Sequence, residues 1–184
     1  MEENATVPTS PFNHAAKWGA IYGAVSIVIS MLIYAIDFTL FAGFTFLIIS
    51  LVVGFGFVIY GGINYRNEVG GYLAFGKAYI HGFIMFAVAA AISTAFSILL
   101  FTVIDPDLPQ NLTDAIISNT EAMMEKFGAP QDSIDQAIDQ MREEQPKNFA
   151  PFGLVKSYFF TLIWYAILSL ITGLIVKKNQ PEMM

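Results

Sequence analysis

The sequence has no cysteine, which removes disulfides, thiolate nucleophiles, cysteine-built metal sites and a lipoprotein anchor. Charge is scarce as well. Asp, Glu, Lys and Arg make up 13% of the 184 residues, about half the share of an ordinary soluble domain. Bases are scarcer than acids, nine against 15, for a formal net charge of −6. A chain without a basic surplus lacks the footprint that nucleic-acid phosphates require, so no nucleic-acid partner is expected. Apolar residues take the place of charge: 55% of the chain is hydrophobic and the mean hydropathy is +0.58. The composition is that of a protein whose partner is the lipid bilayer.

A span of the roughly 30 Å hydrocarbon core needs about 20 apolar helical residues. Four uncharged runs reach that length, each bracketed by charges: 18–36 between Lys17 and Asp37, 38–65 between Asp37 and Arg66, 78–104 between Lys77 and Asp105, and 157–176 between Lys156 and Lys177. The second run is too long for one level span, and Phe41-Ala42-Gly43 reads as part of a turn beginning at Asp37, which places helix two near 44–65. Glu2 and Glu3 give an acidic start, and Ala35-Ile36-Asp37 is a poor cleavage site, so the first run is expected to stay as an anchor rather than be removed as a signal peptide. Five of the nine bases (Lys17, Arg66, Lys77, Lys177, Lys178) fall in the short segments on the N-terminal side of the bilayer, which favours both termini in the cytoplasm. Lys156, flush against the last span on the other side, counts against that orientation.

The 105–156 segment holds ten acids and four bases and is expected to be soluble. Asn111 can cap a helix whose apolar residues Ile116, Ile117, Met123, Met124 and Phe127 share a face until Gly128 and Pro130. A second helix is expected from Asp132, with Ile134, Ala137, Ile138 and Met141 at helical spacing until Pro146. The expected architecture is therefore all-α: one membrane domain over 1–184, a four-helix transmembrane bundle with an extramembrane helical hairpin, about 111–144, between helices three and four. Helices this short need to bury their apolar faces. Packing on the chain's own bundle is the first expectation, and a protein partner at the 111–144 hairpin the second.

No reaction is named by the residues. The sequence holds no H-E-x-x-H, G-x-S-x-G, phosphate-loop or dinucleotide fingerprint, and no His/Asp/Glu set at metal spacing; no catalytic, cofactor-binding or metal-ligating residue is expected, and the chain is read as not an enzyme. The paired acids Asp105/Asp107 and Glu143/Glu144 lie on solvated segments, where charge and capping explain them. Every Asp, Glu, Lys and Arg lies at or beyond a span end, unlike a proton pump with ionisable groups at mid-depth. The one polar cluster close to the membrane is Arg66, Glu68, Lys77 and His81 around a glycine-rich turn. His81 lies four residues after Lys77, on the same helix face, and the nearby cation favours an uncharged imidazole; Glu68 would favour the charged one if the turn folds it back. His14 lies on a different segment.

Small residues recur every four positions: Gly19 and Gly23; Ala87, Ala91 and Ala95; Ser169 and Gly173. They allow close helix approach, read first as packing within the bundle and second as the seam of a homo-oligomer. Two functional readings follow. The leading one is a membrane-embedded scaffold or accessory subunit that contacts a partner through its acidic extracytoplasmic hairpin. The alternative is a small channel or transporter for a neutral or lipid-like solute, using the span hydroxyls Ser26, Ser30, Ser93, Thr94 and Ser97.

Tyr65-Arg66-Asn67-Glu68, then Tyr72-Leu73-Ala74-Phe75-Gly76-Lys77-Ala78-Tyr79 with Gly82-Phe83, an Ala/Ile/Ser-rich third span, Ile104-Asp105-Pro106-Asp107 and a late Gly173-Leu174-Ile175 before Lys177-Lys178 give the chain a family look. It resembles small bacterial four-span membrane proteins catalogued as a domain of unknown function. That resemblance covers nearly the whole chain and implies a multi-pass protein of the bacterial inner membrane. It brings no substrate, cofactor or catalytic residue.

Overall fold

Pro11 opens the first helix, as its fixed φ and missing N–H suit a first helical position. The computed structural model describes residues 10–180. Its elements are α1 (Pro11–Asp37), α2 (Phe44–Glu68), α3 (Phe75–Leu99), α4 (Leu108–Lys126), α5 (Gln131–Phe149) and α6 (Pro151–Val176). α1, α2, α3 and α6, with the short turns that extend α1 and α3, are long and apolar enough to cross a membrane, the pattern of a multi-pass membrane protein.

The helices outrun the uncharged runs. α1 begins seven residues before Trp18, α2 runs through Arg66 to Glu68, and α6 starts at Pro151, ahead of Lys156. A Lys or Arg at a bilayer boundary keeps its stem along the helix and its head in water, so a charge does not end a helix. The extension places His14 in the first turn of α1, where its N–H donates to the Ser10 carbonyl at 3.1 Å. Gly70 and Gly71 stop α2 with φ of +94° and +84°, a conformation open to glycine, while the Gly71 amide donates to the Arg66 carbonyl at 2.9 Å. Between α1 and α2 the expected turn forms: the Asp37 carboxylate accepts the Thr39 amide at 2.9 Å and its hydroxyl at 2.6 Å, and a short 3-10 turn leads to Gly43.

Two boundaries of the 105–156 segment differ from expectation. α4 starts at Leu108, three residues ahead of Asn111, because Asp105 supplies the capping chemistry: its Oδ1 accepts the amides of Asp107 and Leu108 at 3.2 and 3.1 Å. α5 starts at Gln131 and passes through Pro146 to Phe149. Pro146 and Arg142 are exposed, so the Arg142 carbonyl that the proline leaves without its amide partner is open to solvent. Pro151 ends α5 instead, holding Ala150 extended at ψ 153°.

Packing is organised around α3, which lies against α1 and α6. Lipid gives no hydrophobic drive for helix association, so close approach has to provide the contact. A Cβ on Gly19 would sit 2.8 Å from the Met85 carbonyl oxygen, one on Gly23 3.0 Å from Ile92 Cβ, and one on Gly173 3.2 Å from Tyr79 Cα. Ser169 is buried. These small residues pack inside the bundle as expected. The Ala87 stripe does so only at its start: Ala87 is half-buried and its carbonyl accepts from the Tyr158 hydroxyl of α6 at 3.5 Å, whereas Ala91 and Ala95 are exposed.

α4 and α5 pack on each other and on the bundle. Leu108 and Leu112 bury against Leu100, with Tyr34, Phe101 and Phe149 around them. The Tyr34 hydroxyl donates to Asp105 Oδ2 at 2.8 Å, so one carboxylate joins α1 to the start of α4. Ile117 and Ile134 are buried, whereas Met123 and Phe127, expected on the same face, are 41% and 81% exposed. At the opposite end of the bundle, Leu73 and Lys178 exchange two backbone hydrogen bonds of 2.9 Å. This bridge ties the segment after α6 to the α2–α3 turn.

Candidate functional site

Three helices place polar side chains in the end of the bundle that holds the α2–α3 turn. His14 comes from the first turn of α1, Asn64, Tyr65 and Glu68 from the last turns of α2, and His81 from the second turn of α3. His14 and His81 are 4% and 0% exposed. His14 Nδ1 lies 2.9 Å from His81 Nε2, and His14 Nε2 lies 3.0 Å from Asn64 Oδ1 and 3.5 Å from Glu68 Oε1. Tyr65 stacks on His81 at 5.0 Å and 13°, with His14 5.0 Å from the same tyrosine ring.

These partners favour one pair of tautomers. His14 Nε2 faces two oxygens that only accept, so it carries the hydrogen and donates. A neutral His14 then has a bare Nδ1, which accepts from His81 Nε2–H, and the lone pair of neutral His81 lies on Nδ1. That Nδ1 is buried and meets no hydrogen-bond partner among the described residues.

The four residues singled out in the sequence separate here. Glu68 and His81 both reach His14, one at each of its nitrogens. Arg66 turns to α6, where its Nη1 donates to the Val176 carbonyl at 2.9 Å, a favourable place for a cation at a helix C-terminus. Lys77 is exposed and lines a cleft of about 380 Å³ with Lys178, Tyr72 and Tyr65. The shared face expected for Lys77 and His81 is thus divided: α1 covers His81, and the neighbour that meets its ring nitrogen is His14 rather than the lysine. Sequence reasoning missed His14 and Asn64. Asn64 lies four residues before Glu68, hence on its helix face, and that spacing was the available signal.

A second feature lies deeper in the bundle. A cavity of about 590 Å³ opens between α1, α2, α3 and α6, and Ser26, Ser30, Ser50, Ser93, Ser97 and Thr161 line it together with Tyr22 and Tyr165. No charged side chain lines it. Thr94 lies instead on a smaller neighbouring space of about 190 Å³ that shares Ser93, Ser97 and Thr161. Towards the α4–α5 hairpin, an apolar space of about 280 Å³ continues past Ser30, Ser97, Leu112 and Phe149. The apolar cluster of Ala15, Tyr22, Val58, Met85 and Phe86 packs across the bundle near the histidine end. Among the described residues no three His, Cys, Asp or Glu side chains gather as they would around a metal ion.

A family model described as a protein of unknown function, DUF4199, matches residues 17–178 of the chain. No curated protein matches it, and no solved structure does.

Proposed function

The chain belongs to the DUF4199 family of proteins of unknown function, and we propose that its bundle binds a neutral, lipid-like solute and passes it within or across the membrane. The observation that carries this reading is the hydroxyl-lined cavity. Its volume falls within the roughly 300–1,000 Å³ of small-molecule sites. Six aliphatic hydroxyls without a charge favour a solute with a few hydrogen-bonding groups and no net charge, because an ion in that low-dielectric setting would be costly. Leu47 lines the cavity, and beside it the first turns of α2 expose Phe44 and Ile48, an apolar surface that a lipophilic solute can approach. The reading is one of binding and transfer rather than catalysis, in a bacterial inner membrane with both termini cytoplasmic, as the Lys/Arg distribution favours.

The experiment is to fill the cavity. Ser97→Phe and Ser93→Phe, purified beside the unaltered chain, are extracted and their neutral lipid fraction is examined by mass spectrometry. The unaltered chain is expected to carry a neutral amphipathic molecule that both variants lose while keeping their helical content. Equal content in all three, or none in any, would count against the proposal.

The scaffold reading keeps one specific observation. Phe127 is 81% exposed at the hairpin tip, in a segment with ten acids and four bases, and a large exposed aromatic is a common interface anchor. The rest of the hairpin's apolar stripe is mostly taken up by its own chain, which is why the cavity leads. Phe127→Glu tests the scaffold without uncovering Leu100, and it should abolish crosslinks to a partner formed by the unaltered protein.

A further inference from the structure

His81 is completely buried, yet its Nδ1 meets no hydrogen-bond partner among the described residues. An unpaired buried acceptor is destabilising, and an apolar side chain at the same position would remove that cost. The other ring nitrogens of the pair are engaged. His81 Nε2 and His14 Nδ1 share one hydrogen across 2.9 Å, and His14 Nε2 donates towards Asn64 and Glu68. Acid–base chemistry on this pair therefore has one unpaired basic atom buried inside the bundle and one carboxylate at its outer end, with the two imidazoles between them.

We infer that His14 and His81 form a single proton-binding and proton-transfer unit that loads at His81 Nδ1 and discharges towards Glu68. A proton that binds His81 Nδ1 makes that imidazole cationic. The N–H bond at His81 Nε2 then breaks as a new one forms at His14 Nδ1, and the positive charge passes to His14, 3.5 Å from the Glu68 carboxylate. Release of the His14 Nε2 proton to that carboxylate leaves both imidazoles neutral with their tautomers exchanged. One proton enters and one leaves, and no other reactant is needed. A second bound proton would set two N–H groups against each other across the 2.9 Å gap, so the unit holds one.

The surroundings support that direction. On α1, Lys17 lies on the next turn and is exposed; on α3, Lys77 is exposed. From α2, Arg66 is committed to the Val176 carbonyl, Tyr65 stacks on His81 and Glu68 faces His14. α6 presents the buried hydroxyls of Ser169 and Thr172 at this level, and Lys177 and Lys178 beyond it are exposed. Glu68 is thus the carboxylate that faces His14, at 3.5 Å. The unit is separate from the cavity: His14 and Ser26 are about 18 Å apart along α1 at 1.5 Å per residue, with the apolar cluster between them.

The chain has two histidines in all, so nitrogen NMR of ring-labelled histidine in nanodiscs reads the unit directly. At neutral pH both imidazoles are expected to carry hydrogen on Nε2. On acidification the chain should take up one histidine-bound proton, with His81 gaining hydrogen on Nδ1 and His14 becoming the doubly protonated ring. Glu68→Gln, at an exposed position that should not disturb folding, is expected to bind the same single proton but to leave the charge on His81. Two protons bound independently, a resting His81 already protonated at Nδ1, or an unchanged charge distribution in Glu68→Gln would each overturn the inference.

Discussion

Gly19→Ala is the smallest change that tests how α1 is held. The added Cβ would lie 2.8 Å from the Met85 carbonyl oxygen and 2.9 Å from Val88 Cβ, where ordinary contact begins at 3.4 Å. A backbone oxygen inside a helix cannot swing aside, so α1 has to withdraw from α3 by about half an ångström in a close-packed interior. Overpacking of this kind costs about 1–3 kcal/mol, and in a chain of this length each kcal/mol lowers the melting midpoint by roughly 2–4 °C. The same withdrawal lengthens the 2.9 Å His14–His81 contact to the edge of hydrogen-bonding range. Gly56→Ala is the control, because a Cβ there meets nothing within 4 Å. Thermal unfolding followed by circular dichroism in detergent, with nitrogen NMR of the two histidines, reads both effects. Gly19→Ala should melt several degrees below the control and lose the shared proton signal. If the two variants melt together and the histidine contact survives in both, the claim that glycine holds α1 against α3 is refuted.

The four long apolar helices were legible because each is a long uncharged run, and hydrocarbon tolerates little else. Their ends were less so. Lys17, Arg66 and Lys156 all lie within helices, because a charge at the membrane boundary is compatible with helix, and backbone stop signals such as Gly70-Gly71 mark a terminus better than charge does. In the hairpin, Gly128 was read correctly as a stop, with φ of +72°, but Pro146 was given too much weight next to Pro151, which acts on the residue before it. The polar site was legible by half. Glu68 and His81 stand in one sequence window and could be singled out together. His14, 67 residues before His81, could not, since nothing along the chain says that α1 and α3 run parallel with their first turns side by side. The glycines that permit this pairing were visible, and the helix they face was not. The cavity was anticipated in its residues, as Ser26, Ser30, Ser93 and Ser97 all line it, although no spacing rule shows whether hydroxyls on different spans meet around a space or in a packed seam.

On the exposed face of α5, the Lys147 hydrogen bond, at 2.9 Å, and then its charge hold the Glu143 carboxyl below the ordinary carboxylate range. The pair's contribution is therefore complete above that range and lost as pH falls through the lowered value; Lys147→Ala should return Glu143 to the ordinary range in a carboxyl carbon NMR titration, and an unchanged titration would show the pair to be unformed in solution. The last prediction concerns orientation. The Leu73–Lys178 bridge holds residue 179 at the α2–α3 end, while Asn119 is exposed and its amide reaches the Ala42 carbonyl in the turn between α1 and α2, at the opposite end of the bundle. If all four long apolar helices cross the membrane, the two positions fall on opposite sides, and the proposed orientation puts residue 179 on the cytoplasmic side. In this cysteine-free chain, Asn119→Cys should react with a membrane-impermeant thiol reagent on intact cells, and Asn179→Cys only after permeabilisation. Labelling of 179 alone on intact cells would invert the orientation and keep the fold, whereas labelling of both would refute the four-span arrangement itself.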